Sequence, residues 1–118
     1  MKRKPRLNAE SLVRLCREIV LDKKAQDVVV LDLRDISSVA DFFLICSGAS
    51  EPQLKAIAEA ISLRLKEEGV AAVGHDGAPV SRWLVLDYGS VLIHIFHPEV
   101  RRRFALEQLW GDARRLPG

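Results

Sequence analysis

The residues whose types and spacing could do chemistry fall into a few groups. Ser47-Gly48-Ala49-Ser50 follows the apolar run ending at Cys46 and precedes Glu51-Pro52-Gln53. Small residues where a strand hands over to a helix can turn backbone N–H groups toward a phosphate. The stretch lacks the patterns G-x-x-x-x-G-K-S/T and G-x-G-x-x-G, so its nucleotide signal is weak. A nucleotidyl-transfer site would also need clustered carboxylates for magnesium. Asp32, Asp35, Asp41, Asp76 and Asp87 are available, but none forms a D-x-D/E pair close behind the loop, and the plainer reading of Ser50 is a helix cap. His94 and His97 stand three apart, with His75-Asp76 as a conceivable third metal partner. On a strand that spacing sends the two imidazoles to opposite faces, so rim histidines are the simpler account. No G-x-S-x-G elbow supports a hydrolytic triad.

The remaining candidates are Trp83 and His94, and they depend on a hairpin for their position. Residues 82 to 96 carry two aliphatic runs around Tyr88-Gly89, and a glycine in a two-residue loop signals a tight antiparallel hairpin. With Tyr88-Gly89 as the loop, Trp83 lies opposite His94, Val85 opposite Leu92 and Leu86 opposite Val91. One face then holds Leu84, Leu86, Val91, Ile93 and Ile95, which must lie on a core. The other holds Trp83, Val85, Asp87, Ser90, Leu92, His94 and Phe96, and buried carboxylate and imidazole groups are costly without partners. That face is either open to water or a partner, or covered by further helices with its polar groups at the rim.

Ahead of the hairpin, Asn8 can cap a helix over roughly residues 9 to 24, with Leu12, Cys16, Ile19 and Val20 as its buried stripe. Val28–Leu33 and Ala40–Cys46 read as strands, the second apolar on both faces and therefore central. Ser50 and Gln53 form a capping box for a helix of about five turns, with Leu54, Ile57, Ala58, Ile61 and Leu65 inward and Gly69 as its stop. Val70–Val73 reads as a short strand, and His75–Ser81 as irregular. Pro98-Glu99 opens a last short helix through about Leu109, with Val100, Phe104, Leu106 and Trp110 closing over the core. The order α-β-β-α-β-β-β-α implies an α/β (α+β) domain around a mixed five-stranded sheet, one domain over residues 1–118 with a basic arm at 1–6 and a flexible tail at 111–118.

Composition agrees with a single core: 118 residues, 48% of them hydrophobic. The 18 basic and 16 acidic residues give a net charge of +2, too balanced for a protein that coats nucleic acid by bulk charge. The excess is local, in Lys2, Arg3, Lys4 and Arg6 and in Arg101, Arg102, Arg103, Arg114 and Arg115, which would suit a phosphate-rich partner. Cys16 and Cys46 fit buried, reduced thiols. No run approaches the ~20 apolar residues of a membrane span, so a cytoplasmic protein with no membrane contact is expected.

The stretch Leu31 to Gly48, the hairpin Trp83 to Phe96, and Leu106-Glu107-Gln108-Leu109-Trp110-Gly111-Asp112-Ala113 closely resemble the ribosomal silencing factor family, also called RsfS or Iojap. The resemblance spans nearly all of residues 8 to 113. It implies a nucleotidyltransferase-like fold without catalytic carboxylates, no enzymatic activity and no cofactor. It also implies binding to the large ribosomal subunit through ribosomal protein fourteen, which blocks subunit joining and represses translation when nutrients are short. Carried over by position, the partner-binding residues are Asp41, Trp83, Asp87, Tyr88 and His94. The resemblance allows a homodimer off the ribosome, and the arginine-rich tail offers a peripheral contact to ribosomal RNA. Ser90, Phe104-Ala105 and Pro79-Val80-Ser81 depart from the family pattern, the last at the loop before Trp83. The rival reading is a nucleotide-binding or nucleotidyltransferase-type enzyme using Ser47 to Ser50.

Overall fold

A computed structural model describes residues 7–116; the basic arm expected at 1–6 lies outside them. Helix α1 (Ala9–Asp22) begins where the Asn8 side-chain oxygen accepts from the Ser11 N–H at 2.8 Å. It buries Leu12, Val13, Cys16 and Val20. Strands β1 (Gln26–Asp32) and β2 (Phe42–Ser47) follow, and then α2 (Glu51–Glu67). The Ser50 hydroxyl caps α2, accepting from Gln53 N–H at 3.2 Å, and Leu54, Ile57, Ile61 and Leu65 face inward as their spacing requires. Strand β3 (Gly74–Ala78), a 3-10 turn (Pro79–Ser81), β4 (Trp83–Asp87) and β5 (Val91–Phe96) lead into α3 (Pro98–Phe104), α4 (Leu106–Leu109) and β6 (Arg114–Arg115).

The sheet is mixed and six-stranded, in the order β3-β4-β5-β2-β1-β6. Only β2 and β5 pair in parallel; the other neighbours are antiparallel. As its apolar run demanded, β2 is central, every residue of it buried. One face carries Phe42, Leu44, Cys46, Leu84, Leu86, Val91, Ile93 and Ile95 and packs against α1 and α2. Cys16 and Cys46 are buried free thiols in this layer, and burial pushes both pKa values up to about 12. No helix among the described residues is long and apolar enough to cross a membrane.

The strand count corrects the expected five in two places. Residues 70–73 form no strand. They carry the chain from Gly69, at a positive φ of 77°, to the sheet edge, and the pairing with β4 falls on Gly74–Ala78. The sequence Gly74-His75-Asp76-Gly77-Ala78 has little β-propensity, because an edge strand is held by its backbone bonds to β4 and needs few apolar side chains. The tail expected to be free contributes β6 instead, with Arg115 opposite Leu31, Arg114 opposite Asp32, and Leu116 N–H on the Val30 carbonyl at 2.9 Å.

The hairpin register also moves, by two residues. Trp83 stands opposite Phe96 and Val85 opposite His94, so the loop is Gly89-Ser90 instead of Tyr88-Gly89. Gly89 takes the first loop position at φ 81°, a left-handed conformation that favours glycine, and the Ser90 N–H reaches across it to the Tyr88 carbonyl at 3.0 Å. The Asp87 carboxylate accepts the Gly89 N–H at 2.8 Å. A two-residue slip leaves each side chain on its original face, so the division into an aliphatic and a mixed face stands.

Gly77 is the tightest point of the edge. At φ 81°, a Cβ there would come to 2.0 Å from the Trp83 carbonyl oxygen, whereas at Gly69 it would meet nothing within 4 Å. Gly77→Ala should therefore cost clearly more stability than Gly69→Ala, which carries only the left-handed backbone penalty of about 1 kcal/mol. Urea denaturation of the two variants compares them, and equal losses would mean that β3 yields freely.

Candidate functional site

The mixed face is neither bare nor sealed. Immediately after β5, Pro98 opens α3, and the His97 ring nitrogen Nδ1 caps it by accepting from the Glu99 N–H at 3.2 Å. Ala105, in the left-handed region at φ 47°, breaks the helix and starts α4. Val100, Leu106, Trp110 and Ala113 thereby fold over Leu31, Leu33, Phe43, Ile45 and Phe96. The expected single helix is thus two, and the mixed face, which the sequence left as either open or covered, is covered over β1, β2 and half of β5. The cover stops at β4, where Trp83, Val85 and Asp87 stay partly exposed, with Leu92 beside them on β5.

A buried polar network fixes this cover. Arg101 of α3, 9% exposed, donates through Nη1 to the fully buried Ser47 hydroxyl at 2.8 Å and through Nε to a Glu107 carboxylate oxygen at 2.8 Å. Its Nη2 is 2.6 Å from the same oxygen. A buried guanidinium is tolerable only when paired in this way, and the pair ties α3, α4 and the end of β2 together.

At the border of the cover lies an aromatic cluster. The Trp83 ring stacks on Phe96 at 4.9 Å and touches Phe104 at 4.7 Å, and Phe43 meets His94 edge-on at 4.9 Å. The indole N–H of Trp83 donates to Nδ1 of His94 at 3.3 Å. An indole nitrogen can only donate, so Nδ1 is the acceptor and the neutral ring carries its proton on Nε2, which is buried without a partner among the described residues. Burial lowers the His94 pKa to about 4. In front of Trp83 opens a depression of about 410 Å³, lined by Trp83, Val85, Val100, Phe104, Arg103 and the edge residues Asp76 and Gly77, with Ser81.

The five residues assigned from the sequence are only partly brought together. Trp83 and His94 meet, but His94 is 7% exposed and supports the indole from beneath. Asp87 lies on the same face, its carboxylate engaged with the turn. Asp41 stands at the same end of the sheet, where its backbone N–H reaches the Ser90 carbonyl at 2.8 Å. Tyr88 is on the opposite face, 8% exposed in the core under the helices, where burial raises its pKa. The register shift explains this: Tyr88 continues β4 on the side of Leu84 and Leu86 instead of forming the loop tip. Phe104, expected in the core, is 48% exposed against Trp83. Its place depends on the break at Ala105, a residue type that gives no warning of a left-handed turn.

The loop Ser47 to Ser50 is occupied by internal contacts. Gly48 N–H reaches the Phe96 carbonyl at 2.9 Å, Ala49 N–H the Gln53 side-chain oxygen at 2.7 Å, and the Ser47 and Ser50 hydroxyls accept from Arg101 and from Gln53. The three histidines do not converge: His94 is buried, His97 caps α3 and His75 is on the edge strand. No group of acidic, histidine or cysteine residues placed to hold a metal occurs among the described residues.

Comparison with known proteins gives a consistent result. The family model described as ribosomal silencing factor during starvation matches residues 6–117. Proteins named ribosomal silencing factor RsfS from Halalkalibacterium halodurans and Bacillus subtilis are 42% and 40% identical over 107 residues, covering 91% of this chain and 92% and 91% of their own lengths. The crystal structure of a Chromobacterium violaceum protein superimposes with a TM-score of 0.85 at 32% identity, over 89% of this chain and 88% of that one.

The buried imidazole makes stability depend on pH. Its folded pKa lies below the free value of 6.5, so the unfolded chain takes up a proton first as pH falls. Stability is unaffected above 6.5, declines between 6.5 and about 4, and is constant with respect to this group below that. The total is on the order of 3 kcal/mol. His94→Phe should remove this component of the pH dependence, measured by urea denaturation at neutral and acid pH; an unchanged profile would show that His94 titrates normally.

Proposed function

The chain belongs to the ribosomal silencing factor family, and on that premise we propose that it binds the large ribosomal subunit through ribosomal protein fourteen and keeps the small subunit from joining. Translation would fall accordingly under nutrient limitation. The mechanism is steric and needs no bond-making step: the chain occupies a protein patch on the subunit interface, and its bulk excludes the other subunit.

The observation that carries this reading is the half-open aromatic depression at Trp83. Interfaces draw most of their energy from a few large, rigid side chains in a desolvated centre, with polar groups at the rim. Trp83 and Phe104 supply such a centre, Val85 and Val100 extend it, and Arg103 and Asp76 stand at its edge. Below the indole, Phe96 and the hydrogen bond to His94 hold the ring in one orientation, which reduces the entropy lost on docking. A homodimer formed through the same face would compete with the subunit for it.

Trp83→Ala should weaken binding to purified large subunits by about 2 kcal/mol or more, a loss of roughly 30-fold, in a pelleting assay. Since Trp83 also packs on Phe96, Val85→Glu provides a second variant on the more open part of the depression. Its folding should be intact by thermal melting while subunits again associate in its presence on a sucrose gradient. Unchanged binding by both variants would place the contact elsewhere.

A further inference from the structure

Several cations among the described residues are answered by a carboxylate. Arg14 has Glu10, Arg34 has Asp32, Arg64 has Glu68, Arg82 has Glu99 and Arg101 has Glu107. Arg102 and Arg103 of α3 and Arg115 of β6 are exposed, and none of the three makes an ion pair with another described residue. Two of them converge. Arg102 and Arg115, thirteen positions apart in sequence, line one open groove of about 930 Å³ between the start of β1, the end of β2 at Ser47, and the α3–α4 turn.

The groove's charge is simple to assign. Arg101 and Glu107 lie in it but neutralise each other, which leaves Asp27 as the one unpaired carboxylate among the described lining residues beside Arg102 and Arg115. Both free guanidinium groups stand on fixed supports: β6 is hydrogen-bonded to β1, and α3 is tied to Ser47 through Arg101. Planar guanidinium forks match phosphate oxygens, and since the backbone that carries these two is already in place, the arginine side chains are what remains to be ordered on binding. No aromatic ring among the described residues lines the groove to stack on a base, so such a contact would follow the backbone and be blind to sequence. The groove shares no lining residue with the Trp83 depression.

We propose that this groove is a second contact of the docked chain and takes the sugar-phosphate backbone of RNA between Arg102 and Arg115. The inference rests on the docking reading above and adds to it a salt-dependent RNA contact separate from the aromatic centre.

The test is the affinity of the full chain for large subunits across a salt series, with wild type, the double variant Arg102→Gln/Arg115→Gln and Trp83→Ala in parallel. Losing two phosphate contacts should weaken binding several-fold at low salt and make the slope of log affinity against log salt shallower by about 1.5. Trp83→Ala should weaken binding without changing that slope. If the double variant keeps both affinity and slope while Trp83→Ala binds poorly, the groove proposal is wrong and the docking reading stands. If wild type does not bind subunits, the docking reading fails, and a labelled short RNA hairpin decides the groove: salt-sensitive binding lost in the double variant supports it, and no binding overturns it. Displacement from subunits by polyglutamate but not by the hairpin would overturn it in favour of an acidic protein segment.

Discussion

A sheet that is apolar on both faces has, among the described residues, only two long helices to cover it, and both lie on the same side. Helices α1 and α2 enclose the layer built on Phe42, Leu44, Ile93 and Ile95. The opposite layer is left to the segment from Pro98 onward, which is too short to span every strand. Where its cover lies, the strands below carry Leu31, Phe43, Ile45 and Phe96; where it ends, β4 alternates Val85 and Asp87 with the buried Leu84 and Leu86. The half-exposed Trp83 marks that boundary.

Covering even part of the mixed face means enclosing polar groups, and each is handled differently. The imidazole of His94 stays neutral, accepts from the indole and leaves one nitrogen without a partner among the described residues. The hydroxyl of Ser47 is matched by the guanidinium of Arg101, whose charge is in turn matched by Glu107. The second arrangement also spans the left-handed break at Ala105, so the two short helices act as one cover. Neither helix is long enough to be stable on its own propensity, and packing with the buried pair does that work.

α3 consequently presents different chemistry in two directions. Toward β4, Val100, Arg103 and Phe104 complete the depression around Trp83; toward β1 and β6, Arg101 and Arg102 line the groove that Arg115 closes. One short helix thus borders both an apolar depression and a separate groove whose Arg102 and Arg115 make no ion pair with another described residue. In the Ser47 to Ser50 loop, by contrast, the Ser50 hydroxyl and Ala49 N–H are engaged at the start of α2, the Ser47 hydroxyl anchors α3, and the Gly48 N–H bonds to β5.

The amphipathic spacing of Leu12, Cys16 and Val20 and of Leu54, Ile57, Ile61 and Leu65, the caps at Asn8 and Ser50, the all-apolar β2 and the division of the hairpin into two faces were all legible in the chain, because each depends on a local period or a local hydrogen bond. Even a two-residue error in register left those faces unchanged. What tertiary structure alone decided was everything that depends on distant pairing. Gly74–Ala78 became a strand because β4 offered its edge, and Arg114–Arg115 because β1 did. Tyr88 entered the core once the turn moved to Gly89-Ser90, His94 was buried beneath the indole, and Phe104, expected in the core, was left half-exposed ahead of the break at Ala105. Side-chain periodicity records which face a residue takes, but how much of that face the rest of the chain will cover is set by where a later segment can reach.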